Sequence, residues 1–214
     1  MLPGTIRELY CTAARRRERT RRRCSGAGEG RLQEPVHDDQ RPAPQLRRGA
    51  AAGEWEARPA PGTNTVGFTV WHMPAVQDWV LSTIVGGGLG LHMAPEWAAK
   101  GMATYPAAFG MTLAEADAIG ANVKPADVLD YADAVLARAL AWLDSTSPAE
   151  FERPVPTSRK HLPLHPVYSS AGYLEEADHM FDYPLWRFLS GACYGHPRGH
   201  FGELELALQT IRSR

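Results

Sequence analysis

Pro125-Ala-Asp-Val-Leu-Asp-Tyr-Ala-Asp-Ala-Val-Leu-Ala-Arg-Ala-Leu-Ala-Trp-Leu143 is the stretch on which the fold turns. Val128, Tyr131, Ala132, Val135, Leu136, Ala139, Leu140 and Leu143 recur at intervals of three and four, which gathers them on one broad face of a helix. Pro125 suits the first turn, where its missing N–H costs nothing. Ser145-Thr-Ser-Pro148 ends the helix. A helix with one broad apolar face must bury it against other elements, and the chain on either side supplies more helices.

Upstream, Pro59-Ala-Pro-Gly-Thr-Asn64 is a turn segment, with Thr63 or Asn64 available as an N-cap. Val66 to Val85 then reads as a helix with Phe68, Trp71, Ala75, Trp79 and Ser82 on one face. Gly86-Gly-Gly-Leu-Gly90 stops it and lacks the Lys-Ser/Thr pair of a phosphate loop. Residues 91–124 form a connection with short helical pieces. Pro95 to Gly101 is one turn or two, and Thr112-Leu-Ala-Glu115 has the pattern of a capping box.

Downstream, residues 149–172 read as an irregular excursion, Tyr173 to Phe181 as a short helix, and Pro184 as the first turn of the next. The last helix is expected from about Pro197 to Ile211, with Leu204, Leu208 and Ile211 facing inward. No strand, internal repeat or βαβ alternation stands out, so the fold class is all-α, a helical bundle.

Residues 1–57 differ from the rest. Arg15-Arg-Arg-Glu-Arg-Thr-Arg-Arg-Arg23 is a dense basic block followed by Gly- and Pro-rich sequence with almost no apolar periodicity. This segment is expected to be an atypical basic tail, and residues 58–214 the helical domain. The block has no aromatic residues interleaved for stacking on bases, and the formal net charge of the whole chain is only −1. Nucleic acid is therefore disfavoured as a partner. Three scattered cysteines (Cys11, Cys24, Cys193) resemble neither a disulfide scaffold nor a zinc-finger cluster. With no apolar run long enough to span a bilayer and no secretory signal pattern, the expected location is the cytoplasm.

The chemistry lies in the histidines, of which there are eight. His196 and His200 stand at i and i+4, so a helix stacks their imidazoles on one face, where they can share a cation. Glu203 follows near the same face, placed to orient an imidazole or to act as a base on water. Pro197 belongs in a first turn, so this helix is expected to start close to His196.

His72 sits between Trp71 and Met73, either a core histidine or a third ligand. His179, with Glu175 one turn before it, is the substitute ligand, and His92 a lesser reserve at a pocket mouth. His161 and His165 lie in a Pro-containing loop and read as solvated. A set of three imidazoles suits Zn²⁺, Ni²⁺, Fe²⁺ or Mn²⁺. Tyr194 and Arg198 are candidates for contact with an acidic substrate.

Pro61-Gly-Thr-Asn-Thr-Val-Gly-Phe-Thr-Val-Trp-His-Met73 resembles the segment around the first histidine of the DinB/YfiT-like superfamily. His196-Pro-Arg-Gly-His200-Phe-Gly-Glu203 is similar to that family's second signature, His-x-x-x-His followed by Gly-Gln or Gly-Glu. The resemblance covers roughly residues 55–212. It implies a DinB/YfiT-like four-helix bundle with one divalent metal held by His72, His196 and His200, and a homodimer. It further implies a metal-dependent hydrolase or a thiol S-transferase that uses a low-molecular-weight thiol as cosubstrate, with Glu203 as the catalytic residue. The superfamily also contains a maleylpyruvate isomerase with a thiol cofactor, and many members without an assigned reaction. The other reading is a noncatalytic metal-binding or stress-associated bundle. The sequence departs from the pattern in its poor first helix within residues 1–57 and in Pro197-Arg-Gly199 between the two histidines.

Overall fold

The structure, a computed structural model, describes residues 52–102, 111–155 and 182–214. His161, His165, Glu175, His179 and the expected helix at Tyr173 to Phe181 lie outside them. Within the described residues the chain is all-α, and the only extended pairing is an isolated antiparallel bridge between Pro154 and Pro184. No helix among them is long and apolar enough to cross a membrane.

Helix α1 is the short turn Ala52–Trp55, and α2 spans Val66–Asp78. Thr65 caps α2, its hydroxyl accepting from the Phe68 N–H, one residue beyond the caps expected from sequence. The helical path continues past Asp78 as a π-helical segment, Trp79–Val85, and stops at Gly86. After the glycine loop come a 3₁₀ turn at Leu91–Met93 and the short helix α3, Pro95–Ala98. Helix α4, Leu113–Asn122, begins on the complete capping box of Thr112 and Glu115. Helix α5, Pro125–Ser145, follows at once, then a 3₁₀ turn at Pro148–Glu152.

The last helix starts at His196, as expected, but it continues helical backbone that precedes it. Helix α6, Leu185–Leu189, runs into a π-helical segment, Ser190–Gly195, and then directly into α7, His196–Arg212. The wider π turn lets Pro197 follow helical backbone without forcing a break at the histidines. Pro184 caps α6 and does not lie in its first turn.

Helix α2 is the central element, packed against α4, α5 and α7. Its burial is accordingly not a stripe: every residue from Val66 to Asp78 is buried except Gln77, which is half-buried. A helix surrounded on several sides is apolar all round. Pro74, inside α2, removes an N–H that a helix interior normally uses. The packing of α2 offsets that loss. Helix α5, by contrast, buries one face through Val128, Tyr131, Val135 and Ala139.

Two contiguous apolar clusters result. One joins Phe68, Trp71, Val128, Tyr131 and Leu204, with Leu208 and Ile211 packed against it. The other joins Trp79, Val80, Ile84, Ala139, Phe188 and Leu189. Trp55 also enters the first cluster. Its indole N–H donates to the Gly120 carbonyl at 3.0 Å, and it fills the space beside Gly67 that any Cβ would occupy.

Candidate metal centre

Helix α2 brings His72 to the start of α7. His72 Nε2 lies 2.9 Å from His196 Nε2, and His196 Nε2 lies 3.0 Å from His200 Nε2. The ring centroids are 4.7, 4.9 and 4.5 Å apart, and each pair meets edge to face. One ring nitrogen from each residue falls within a sphere of mutual distances below 4.8 Å. Among the described residues this is the one group of three or more His, Cys, Asp or Glu side chains with that geometry.

The chemistry of the donor set fits a cation. Glu203 Oε2 lies 2.6 Å from His200 Nδ1, so the Nδ1–H donates to the carboxylate and Nε2 is the ring nitrogen turned toward the other two histidines. His196 Nε2 then faces two other ring nitrogens with at most one proton of its own. It cannot make two good hydrogen bonds in that position. A divalent ion would take up all three lone pairs.

Burial pushes His72 down to about 3, with the charges of His196 and His200 adding to the effect. Burial and His200 together hold His196 down at about 4, against an opposing pull from Glu203. Both rings are therefore neutral at pH 7, the state in which imidazole is a ligand. Phe68, one turn before His72, stacks on its ring at 5.6 Å and 14° and fixes its plane.

Other residues named from sequence fall elsewhere. Tyr194 and Arg198 sit two residues to either side of the first ligand, about 200° around the helix from it. They are exposed and bond to each other, Arg198 Nη1 donating to the Tyr194 hydroxyl at 2.9 Å. That places them on a different face of the helix from the histidines. His92 is not at a pocket mouth: it is buried and pairs through Nδ1 with Asp78 Oδ2 at 2.9 Å. Burial pushes the Cys193 thiol up to about 12, so it stays protonated and is no nucleophile.

The sequence reading missed Asp78. Its side chain is 0% exposed and accepts from the Tyr131 hydroxyl (2.7 Å), Ser82 Oγ (2.7 Å), the Leu91 N–H (2.9 Å) and the His92 N–H (3.1 Å). Burial alone would raise its pKa, but the hydrogen bonds from His92, Leu91, Ser82 and Tyr131 outweigh it and hold the carboxyl at about 2. Asp78 thus ties the end of α2 to α5 and to the loop beyond the glycines. The available signal was an acid inside an apolar helical run, with Ser82 one turn on and glycine-rich backbone ahead to offer N–H groups.

An all-α chain with a buried histidine on its central helix and an i, i+4 pair on its last helix defines a helical protein with a three-histidine site capable of coordinating a metal ion. A family model described as the DinB superfamily matches residues 45–176, and the chain belongs to that superfamily. The match contains His72 and ends before His196 and His200, which the fold brings to it. No curated protein matches the chain, and no solved structure does.

Proposed function

We propose that the chain is a metal-dependent enzyme of the DinB type, in which His72, His196 and His200 hold one divalent ion. The observation that carries this reading is the convergence of three Nε2 atoms with Glu203 on the far side of His200. Bound there, Zn²⁺, Ni²⁺, Fe²⁺ or Mn²⁺ would act as a Lewis acid that lowers the pKa of water or of a small thiol. Each histidine presents Nε2 to the centre, and Phe68 keeps the His72 ring in place. Glu203 holds the proton on His200 Nδ1 and is exposed enough to exchange a proton with solvent or substrate. A hydrolase and a thiol S-transferase both follow from this donor set. For the transferase the thiol must come from a cosubstrate, because the described cysteine is protonated and buried.

The four-helix form of the fold is supported by the packing of α2 against α4, α5 and α7. A homodimer in the cytoplasm completes the proposal. The second reading, a noncatalytic metal-binding bundle, keeps the same ligands without turnover.

The test is metal content after alanine substitution. His72→Ala, His196→Ala and His200→Ala should each lose bound metal, and His161→Ala and His165→Ala should keep it. Full metal in His72→Ala together with loss in His179→Ala would overturn the ligand set. Metal that binds tightly without hydrolysis or thiol transfer across a substrate screen would favour the noncatalytic reading.

A further inference from the structure

Two helices carry the three histidines, and the short turn α1 touches both of them. Trp55 of α1 enters the core at the start of α2, with its indole N–H on the Gly120 carbonyl of α4. Its ring lies against Gly67, where any Cβ would overlap the indole. Gly120 approaches α2 just as closely: a Cβ there would stand 2.8 Å from Thr65 Oγ1. The two glycines therefore admit α1 and α4 to the first turn of α2, and a side chain at either would drive them off it.

That turn leads to the site. Thr65 Oγ1, the atom beside Gly120, accepts from the Phe68 N–H at 3.2 Å, and Phe68 stacks on the His72 ring. From Trp55 to the first ligand the path runs through buried residues: Gly67 and Gly120, Thr65, Phe68, His72.

The residue before Trp55 reaches the other ligand helix. Glu54 accepts from Arg212 through Nε at 2.7 Å and Nη2 at 3.0 Å, a two-pronged pair on the last turn of α7. Arg214 donates to the Pro59 carbonyl and ties the same end of the chain to the segment after α1. Arg212 follows His200 by three turns of helix, about 18 Å along the axis. Helix α7 meets α2 at the histidines, and an anchor at that distance fixes its direction. Apolar packing between the two points is less particular about rotation than a two-pronged ion pair.

We propose that α1 is a brace of the metal centre, with Trp55 and Glu54 as its positioning residues. Trp55 seats the start of the His72 helix, and Glu54 holds the end of the helix that carries His196 and His200. This rests on the reading of the three histidines as a metal site. Neither residue touches the ion.

The experiment measures Zn²⁺ affinity by chelator competition and the visible spectrum of the Co²⁺-loaded protein, for wild type, Trp55→Phe and Glu54→Gln. Affinity is read where every variant is fully folded, so it reports the geometry of the site and not global stability. Trp55→Phe keeps an aromatic ring and removes the donor. It should weaken affinity about 5-fold, the low end for coupling between separated groups, and shift the Co²⁺ spectrum. Glu54→Gln should weaken affinity about 3-fold, because its partner Arg212 is exposed. Glu54→Gln leaves the core untouched and carries the test if Trp55→Phe does not fold. Arg153→Gln breaks an exposed pair with Glu150, away from both ligand helices, and should leave affinity unchanged.

Wild-type affinity in Glu54→Gln, or wild-type affinity and spectrum in a folded Trp55→Phe, would overturn the brace. So would an equal loss in Arg153→Gln. If the wild-type chain takes up no Zn²⁺ or Co²⁺, the histidine reading fails and the brace fails with it. If wild type binds and the α1 variants bind as tightly, only the brace fails.

Discussion

Glu203 shows how much a single residue can be read before the fold is known. Its spacing from His200 places both on one face of a helix, and the structure puts its carboxylate 2.6 Å from His200 Nδ1. Replacing it with alanine removes the group that fixes the tautomer. Metal affinity should fall roughly 10- to 100-fold, measured by chelator competition. Glu203→Gln keeps an acceptor oxygen and should fall less. Equal affinity in both variants would mean that the contact does not orient the ring.

The i, i+4 pair was legible for the same reason: local helical geometry needs no tertiary knowledge. The meeting of His72 with that pair was not legible from spacing alone. It depends on α2 packing against α7, and only the family resemblance anticipated it. Tyr194 and Arg198 show that proximity in sequence to His196 is not proximity on the helix surface, since they pair with each other on another face.

At the scale of elements, α5 was the most legible, because its burial is one-sided and leaves a clean apolar period. The capping box of α4 was equally readable, since its two hydrogen bonds are local. Helix α2 was found with its ends nearly right, but the expected stripe is a helix buried on all sides. The π-helical segments after α2 and before α7 left no pattern in the sequence, because they answer to proline placement and packing.

The Asp78 hub belongs to this scale, since it joins α2, α5 and the loop after the glycines. Tyr131→Phe deletes one donor to a buried carboxylate and should destabilise the protein by about 1–3 kcal/mol, read from denaturant unfolding. Gly90→Ala should cost at least as much. A Cβ there would run into the His92 ring and the Asp78 carboxylate, which have no room to move. Stability unchanged in both variants would show that the hub is dispensable.

Across the whole molecule, the Asp78 carboxyl makes stability depend on pH in a defined window. Its folded pKa of about 2 lies below the ordinary 3.8, so the folded state prefers the ionised form. The contribution is fully present above about pH 4 and is lost as pH falls toward 2, a difference of about 2 kcal/mol. Wild type should therefore lose more stability between pH 4 and pH 2 than Asp78→Asn does, measured by urea unfolding at each pH. Parallel losses would assign the acid sensitivity to other groups.

The all-α class was legible from helical periods and the lack of strand alternation. The assembly was less so, because the central role of α2 depends on which faces meet across the chain. The expected basic tail within residues 1–57 falls almost wholly outside the described residues, so its part in the fold rests on the sequence alone.

The central claim is that His72, His196 and His200 form one metal site. Elemental mass spectrometry on untagged protein, beside the His196→Ala/His200→Ala double variant, tests it most directly. The account predicts about one transition-metal ion per wild-type chain, as three converging imidazoles should hold, and loss of that ion in the variant. No metal in wild type as purified, and none after Zn²⁺, Ni²⁺, Fe²⁺ or Mn²⁺ is offered, would contradict it.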